Sequence, residues 1–128
     1  MSYHFSKTVE GPFDEVVARV KEKLAEQGFG VLTEIDVKAT LRKKIDVDFR
    51  PYLILGACSP RHAYKALQAE PHIGTMLPCN VVVQQHEDGR VEVSAVDPVA
   101  SMQAVENPAL GDIASKIREK LKAVVEAL

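Results

Sequence analysis

The chain has 128 residues, 46% of them hydrophobic and 27% charged, with a formal net charge of −2. That length fits one domain, residues 1–128, around one core, and that charge gives no broad pull toward nucleic acid or an anionic membrane. Two cysteines are too few for a disulfide scaffold, and no segment approaches the roughly 20 apolar residues of a membrane span.

At the start, "MSYHFSKTVEG" lacks the basic and apolar regions of a signal peptide, so the expected location is the cytoplasm, with both thiols reduced. Residues Ser2 to Val9 alternate, with Tyr3, Phe5 and Val9 against Ser2, His4 and Ser6, and predict a first strand. "EGPF" opens a helix with Pro12 at its first position, because proline there gives up no needed N–H. Its stripe is Phe13, Val16, Val17, Val20 and Leu24, and Gly28 stops it. A strand follows over Phe29 to Ile35. Asp36 then caps a short helix with Val37, Leu41 and Ile45 on one face and Arg42, Lys43 and Lys44 in its last turns. That basic cluster, with Lys38, could hold a phosphate, but late basic residues also complement the helix dipole, and the second reading is preferred.

Tyr52 to Cys58 is apolar on both faces and predicts a central strand. Ser59 and Pro60 read as N-cap and first position of a helix that Pro71 ends. "PHIGTMLPCN" holds two prolines and a glycine and predicts an ordered loop. Asn80 to Glu87 and Arg90 to Asp97 predict a hairpin turned at Asp88-Gly89, with Glu87 facing Arg90. In that register Val81, Val83 and Val96 share one face, and Val82, Val91, Val93 and Ala95 the other. One layer of helices covers only one of them, which motivates a homodimer. Asn107-Pro108 starts the last and longest helix, with Leu110, Ile113, Ile117, Leu121, Val124 and Leu128 as its stripe. The class is α+β, a single antiparallel sheet of about five strands packed on helices, because the hairpin interrupts any regular βα alternation.

Both cysteines stand where a strand meets something else. Cys58 ends an apolar strand just before a helix N-terminus, a position that lowers a thiol pKa, whereas a buried strand end would leave it a small hydrophobe. Cys79 opens "CNVVV" after Pro78. Cys58, His62, His72 and Cys79 include zinc-type donors, but their spacing is not that of a finger or knuckle, and no metal site is read from them. The absence of C-x-x-C argues against thioredoxin-like exchange. With no Trp and 5% aromatics there is no stacking platform for single-stranded nucleic acid. The loop from Pro71 to Pro78 can extend roughly 25 Å. The chain is therefore expected to climb back after the third helix and start the fourth strand beside the end of the third, antiparallel to it.

The segments "GFGVLTEIDVKATLRKKIDVDFRPYLILGACSPRHAYKAL", "IGTMLPCNVVV" and the hairpin with "VDP" resemble the family called domain of unknown function 302 over nearly the whole length. The resemblance implies a curved antiparallel sheet on helices, in the class of TATA-binding-protein-like folds, often dimeric, with no assigned reaction or cofactor. The functional expectation is a dimeric small-ligand-binding module. Cys58, Ser59, His62, Cys79 and Asn80 would supply polar contacts, and Pro60 and Pro78 the backbone shape. No catalytic residue is assigned, and whether the protein is an enzyme stays open. The alternatives are a thiol redox sensor or enzyme using Cys58 with Cys79, and a purely structural or interaction subunit. Neither nucleic acid nor membrane is expected as a partner.

Overall fold

The computed structural model describes residues 2–128. In chain order the elements are β1 (His4–Val9), α1 (Phe13–Glu26), β2 (Gly30–Asp36), α2 (Val37–Ile45), β3 (Tyr52–Cys58), α3 (Pro60–Ala69), a 3-10 helix (Pro71–Met76), β4 (Cys79–Gln85), β5 (Val91–Val96), α4 (Pro98–Ser101) and α5 (Pro108–Glu126). The five strands form one sheet in the order β1-β5-β4-β3-β2, with every pair antiparallel. Helices α1 and α5 pack together on one face of it, and the long C-terminal helix is the expected one. The class is α+β.

Local chemistry sets the boundaries. Val16, Val20 and Leu24 recur at helical spacing on α1 and are buried. Pro12 is the N-cap of that helix, one place earlier than expected, with an extended ψ of 147°. Gly28 takes a positive φ of 82°, which glycine adopts without the Cβ clash of other residues, and closes α1. Asp36 caps α2 as expected, accepting from the Ala39 N–H at 2.9 Å. The stripe of α2 is only partly covered, however: Val37 and Leu41 are half-buried, Ile45 is exposed, and none of its residues is fully buried. The basic residues beside it turn to neighbouring acids, Lys38 to Asp48 and Arg42 to Asp46, both at 3.1 Å. On α5, Leu110, Ala114, Ile117, Leu121, Val124 and Val125 are buried. Each large side chain among them contributes about 1.5–3 kcal/mol by leaving water.

The hairpin corrects the expected register. His86 N–H donates to the Arg90 carbonyl at 2.8 Å, and Gly89 N–H to the His86 carbonyl at 2.9 Å, so three residues make the turn. Gly89 supplies a positive φ of 91°. The Asp88 carboxylate accepts from the Arg90 N–H at 3.0 Å and its Nε at 2.7 Å, which holds the longer turn and replaces the expected Glu87–Arg90 pair. Val81 then faces Ala95 and Val83 faces Val93. A slip of one residue exchanges the two faces of a strand. Val81, Val83, Val91, Val93 and Ala95 therefore all go under the helices, in the core. Val82 and Val96 remain on the uncovered face beside Gln84, Glu92 and Ser94. That face is half polar, and the apolar second face that motivated a dimer is correspondingly reduced.

Candidate functional site

The chain does climb back after α3. The 3-10 helix Pro71–Met76 and the cis Leu77-Pro78 peptide lead it to the end of β3, where Ala57 lies opposite Cys79 and Gly56 opposite Asn80. The two cysteine junctions are thus neighbours, as the loop length predicted. Gly56 makes the approach possible. A Cβ there would stand 2.2 Å from Thr33 Oγ1 and 2.8 Å from the Pro78 ring, so Pro78 and Thr33 both press on bare backbone.

Cys58, Ser59, His62, Pro78 and Cys79 line one small hollow between the β3 and β4 ends and helices α3, α4 and α5. Two expected members are elsewhere. Pro60 is exposed in the first turn of α3 and fixes only the start of that helix. Asn80 follows Cys79 directly in a strand, and consecutive side chains point to opposite faces. It lines the uncovered face with Val82 and Gln84. His72, considered as a metal ligand, sits exposed on the 3-10 helix with its ring 3.5 Å from the Glu70 carboxylate. Among the described residues no three His, Cys, Asp or Glu side chains form a metal-sized group.

The remaining walls include Phe29, Ala63, Ala66, Met102, Ala114 and Ile117. They come from four separated segments, and no local pattern marks them as a group. The one readable sign near them is Asp97-Pro98, an N-cap followed by proline at the first helical position. It starts α4, with Asp97 Oδ1 accepting from the Val99 N–H at 3.0 Å. Asp97 also accepts from Arg118 Nε at 3.2 Å, tying α4 to α5 and thereby fixing Met102 near the hollow.

The polar groups of the hollow are quiet ones. Ser59 occupies the N-cap of α3, but its hydroxyl makes no capping bond to the backbone. It shares a hydrogen bond of 2.8 Å with His62 Nδ1 instead. His62 stands at the third helical position, where a capping box places Glu or Gln, but the pair bonds side chain to side chain and caps no backbone N–H. Burial, then Lys120, Lys65 and Lys116, lower the His62 pKa, which keeps its ring neutral at neutral pH.

Both cysteines are free. Burial raises the Cys58 thiol, and burial followed by the nearby Cys58 pushes Cys79 up to about 11. An activated nucleophile needs the opposite shift. Desolvation sets the direction at Cys58, which does not by itself favour a thiolate there. The cavity volume is about 30 Å³. A single water needs roughly 10–15 Å³ on that measure, so the hollow accepts a two-atom to three-atom guest or the tip of something larger.

A family model, "Domain of unknown function DUF302", matches residues 5–128. No curated protein matches the chain. Among solved structures, the crystal structure of an uncharacterized conserved DUF302 protein from Bacillus stearothermophilus is similar. It is 31% identical with a TM-score of 0.91, and the match covers 98% of each chain.

Proposed function

The chain belongs to the DUF302 family, whose function is unknown, and on that premise we propose that it is a small-ligand-binding module whose site is the hollow between the β3 and β4 junctions. The observation that carries this reading is convergence. Five of the seven residues singled out in the sequence line one cavity although they come from two separate segments. The lining is almost wholly apolar, with two protonated thiols and a neutral Ser59–His62 pair as its polar groups. Such a wall suits an uncharged apolar tip, because a charge placed there would lose its hydration without a partner. The working compartment is proposed to be the cytoplasm, where two adjacent thiols remain reduced.

The test uses xenon, an apolar probe small enough for the space. Under xenon pressure the amide resonances of Ala57, Ala63 and Ala114 should shift saturably, and Ala114→Leu, which fills the hollow, should remove the response. Unmoved resonances in the wild-type protein would leave the site without a guest and favour a purely structural role.

The protein is further proposed to work as a homodimer, joined at the β2–α2 edge. Leu32, Ile35, Ile45 and Val47 are each exposed on this segment, beside a strand whose outer side has no neighbour. A two-fold axis along such an edge would present each patch to its own copy. Light scattering on the wild-type chain should give twice the monomer mass, and Ile45→Glu should halve it. A monomer at every concentration would remove this part of the proposal.

A further inference from the structure

Arg50 stands just before β3 with its side chain half-buried. Its guanidinium carbon lies 4.5 Å from the centre of the Phe49 ring and 5.5 Å from that of Tyr52. Its Nε donates to Gln84 Oε1 at 3.0 Å. Two rings and one amide therefore fix the orientation of the guanidinium. None of the ion pairs among the described residues includes Arg50, and its two terminal nitrogens have no protein hydrogen-bond partner there. A half-buried cation with its fork free and its orientation set is prepared for a planar anion, which it can hold through two parallel N–H···O bonds.

Two of the three residues that hold Arg50, Tyr52 and Gln84, also line a groove on the uncovered face, beside which Arg50 stands. Tyr52 and Gln84 form one end of a groove of about 390 Å³, within the roughly 300–1,000 Å³ range of small-molecule sites. Its floor is Val82 and Val96, and Tyr3 stands at the far side. A chain of hydroxyls crosses the middle, with Ser94 Oγ 2.7 Å from Ser6 Oγ and Ser6 Oγ 2.6 Å from His4 Nδ1. The floor suits a flat apolar body, and the hydroxyl chain can both donate to and accept from it.

Glu92 limits the charge the groove can take. It lies across from Gln84 on the next strand, with its carboxylate 3.0 Å from His86 Nε2. A dianion such as a phosphate monoester would place its second charge toward that carboxylate, whereas a single carboxylate can stay at Arg50. We propose that the uncovered face of the sheet is a second binding site, for an aromatic monocarboxylate held by Arg50 with its ring over Val82. This site is separate from the hollow at Cys58 and Cys79 and does not depend on it.

The experiment titrates indole-3-carboxylate and its neutral amide, indole-3-carboxamide, into the full-length protein and follows backbone amide resonances. The acid should shift Tyr52, Val82, Gln84 and Val96 saturably and bind about 10-fold tighter than the amide, the ratio expected of one charge-assisted contact of about 1.4 kcal/mol. Arg50→Gln should bring the two ligands to equal affinity while Ala63 and Ala114, at the hollow, keep their wild-type positions. Arg50→Lys keeps the charge and most of the stem but loses the fork, and should retain only part of the preference. That variant guards against a fold lost with Arg50→Gln. Equal binding of acid and amide to the wild-type protein would overturn the proposal. So would an undiminished preference in either Arg50 variant, or shifts on this face that follow protein concentration rather than ligand, which would mean that a second copy occupies it.

Discussion

The two faces of the sheet are made from the same three central strands and have opposite fates. Under the helices, Leu55, Val81, Val83, Val93 and Ala95 are wholly excluded from water, and the hollow at the β3 and β4 ends has a volume of only about 30 Å³. On the other side, residues one place along the same strands form a groove of about 390 Å³ with hydroxyl, amide and carboxylate groups along it. The difference shows what each kind of surface can recognise. A narrow apolar hollow selects by volume, because any guest must fit among atoms already packed at solid density. An open polar groove selects by charge and hydrogen bonding, because a ligand there must replace the water it displaces.

The largest test of that contrast compares neighbours on β3. Leu55 faces Val81 under the helices, whereas Ile54 faces Val82 on the uncovered side. Leu55→Ala should lower the unfolding free energy by about 2–5 kcal/mol, as buried truncations of this kind do. Ile54→Ala should cost less than about half as much, since its surroundings are already partly wet. Urea unfolding of both variants measures the gap, and equal losses would mean that the second face is covered in solution, as by a partner copy.

Next in size is the alkaline limb of stability. The unfolded Cys79 thiol ionises near pH 8.5, whereas burial holds the native one protonated to about 11. A raised native pKa gives a contribution that is whole below the unfolded value and is lost as pH climbs through the native one. Wild-type stability should therefore fall by an extra amount of about 3 kcal/mol between roughly pH 8.5 and 11, and Cys79→Ala should lack that extra slope. Identical slopes would show the thiol to be hydrated in the native protein. Alkylation reports the same quantity kinetically, with Cys79 slow at pH 8 and fast only after unfolding.

How much of this was legible in the sequence follows from the range of the forces involved. β3 was read with its observed bounds because an apolar run between Pro51 and Ser59 leaves little choice, and the caps at Asp36, Ser59 and Asn107 are local chemistry. The return of the chain to the β3 end was readable from the length of the Pro71–Pro78 loop. The hairpin register was not. Asp88-Gly89 permits both a two-residue and a three-residue turn, and the Asp88 carboxylate bonding to Arg90 favours the longer one. Asn80 could have been excluded from the hollow by alternation alone, since Cys79 beside it faces inward. The walls supplied by Met102, Ala114 and Ile117 depend on how α4 and α5 dock, and the free fork of Arg50 depends on which carboxylates fail to reach it. Both are tertiary facts with no local signature.

A smaller effect tests the wall between the two sites. Gly56→Ala would set a methyl group against the Pro78 ring, where a Cβ falls 2.8 Å from the nearest ring carbon. Thr33 can rotate away, but the proline cannot, so the junction must open. Overpacking of this kind costs about 1–3 kcal/mol. Its useful readout is the xenon response, which should change because Pro78 lines the hollow, while indole-3-carboxylate binding at Arg50 persists. Loss of both together would show that the two faces respond as one unit.

The smallest effect concerns His62 and separates electrostatics from packing inside the hollow. Burial depresses its pKa first, and Lys120, Lys65 and Lys116 add to the depression. For a base with a lowered native pKa, stability is whole above the unfolded value near 6.5 and is lost as pH falls toward the native one, because only the unfolded chain gains the proton readily. An imidazole titration should accordingly place His62 below the usual histidine range. Lys120→Gln should move it upward without restoring the ordinary value, since desolvation is the larger cause. A full return would mean that the ring is hydrated and that charge alone governs it. No change would mean that Lys120, which also donates to the Gln27 carbonyl at 3.2 Å, holds the end of α1 and leaves the field at the hollow unaltered. Either result would fix whether the Ser59–His62 pair belongs electrically to the hollow or only to its frame.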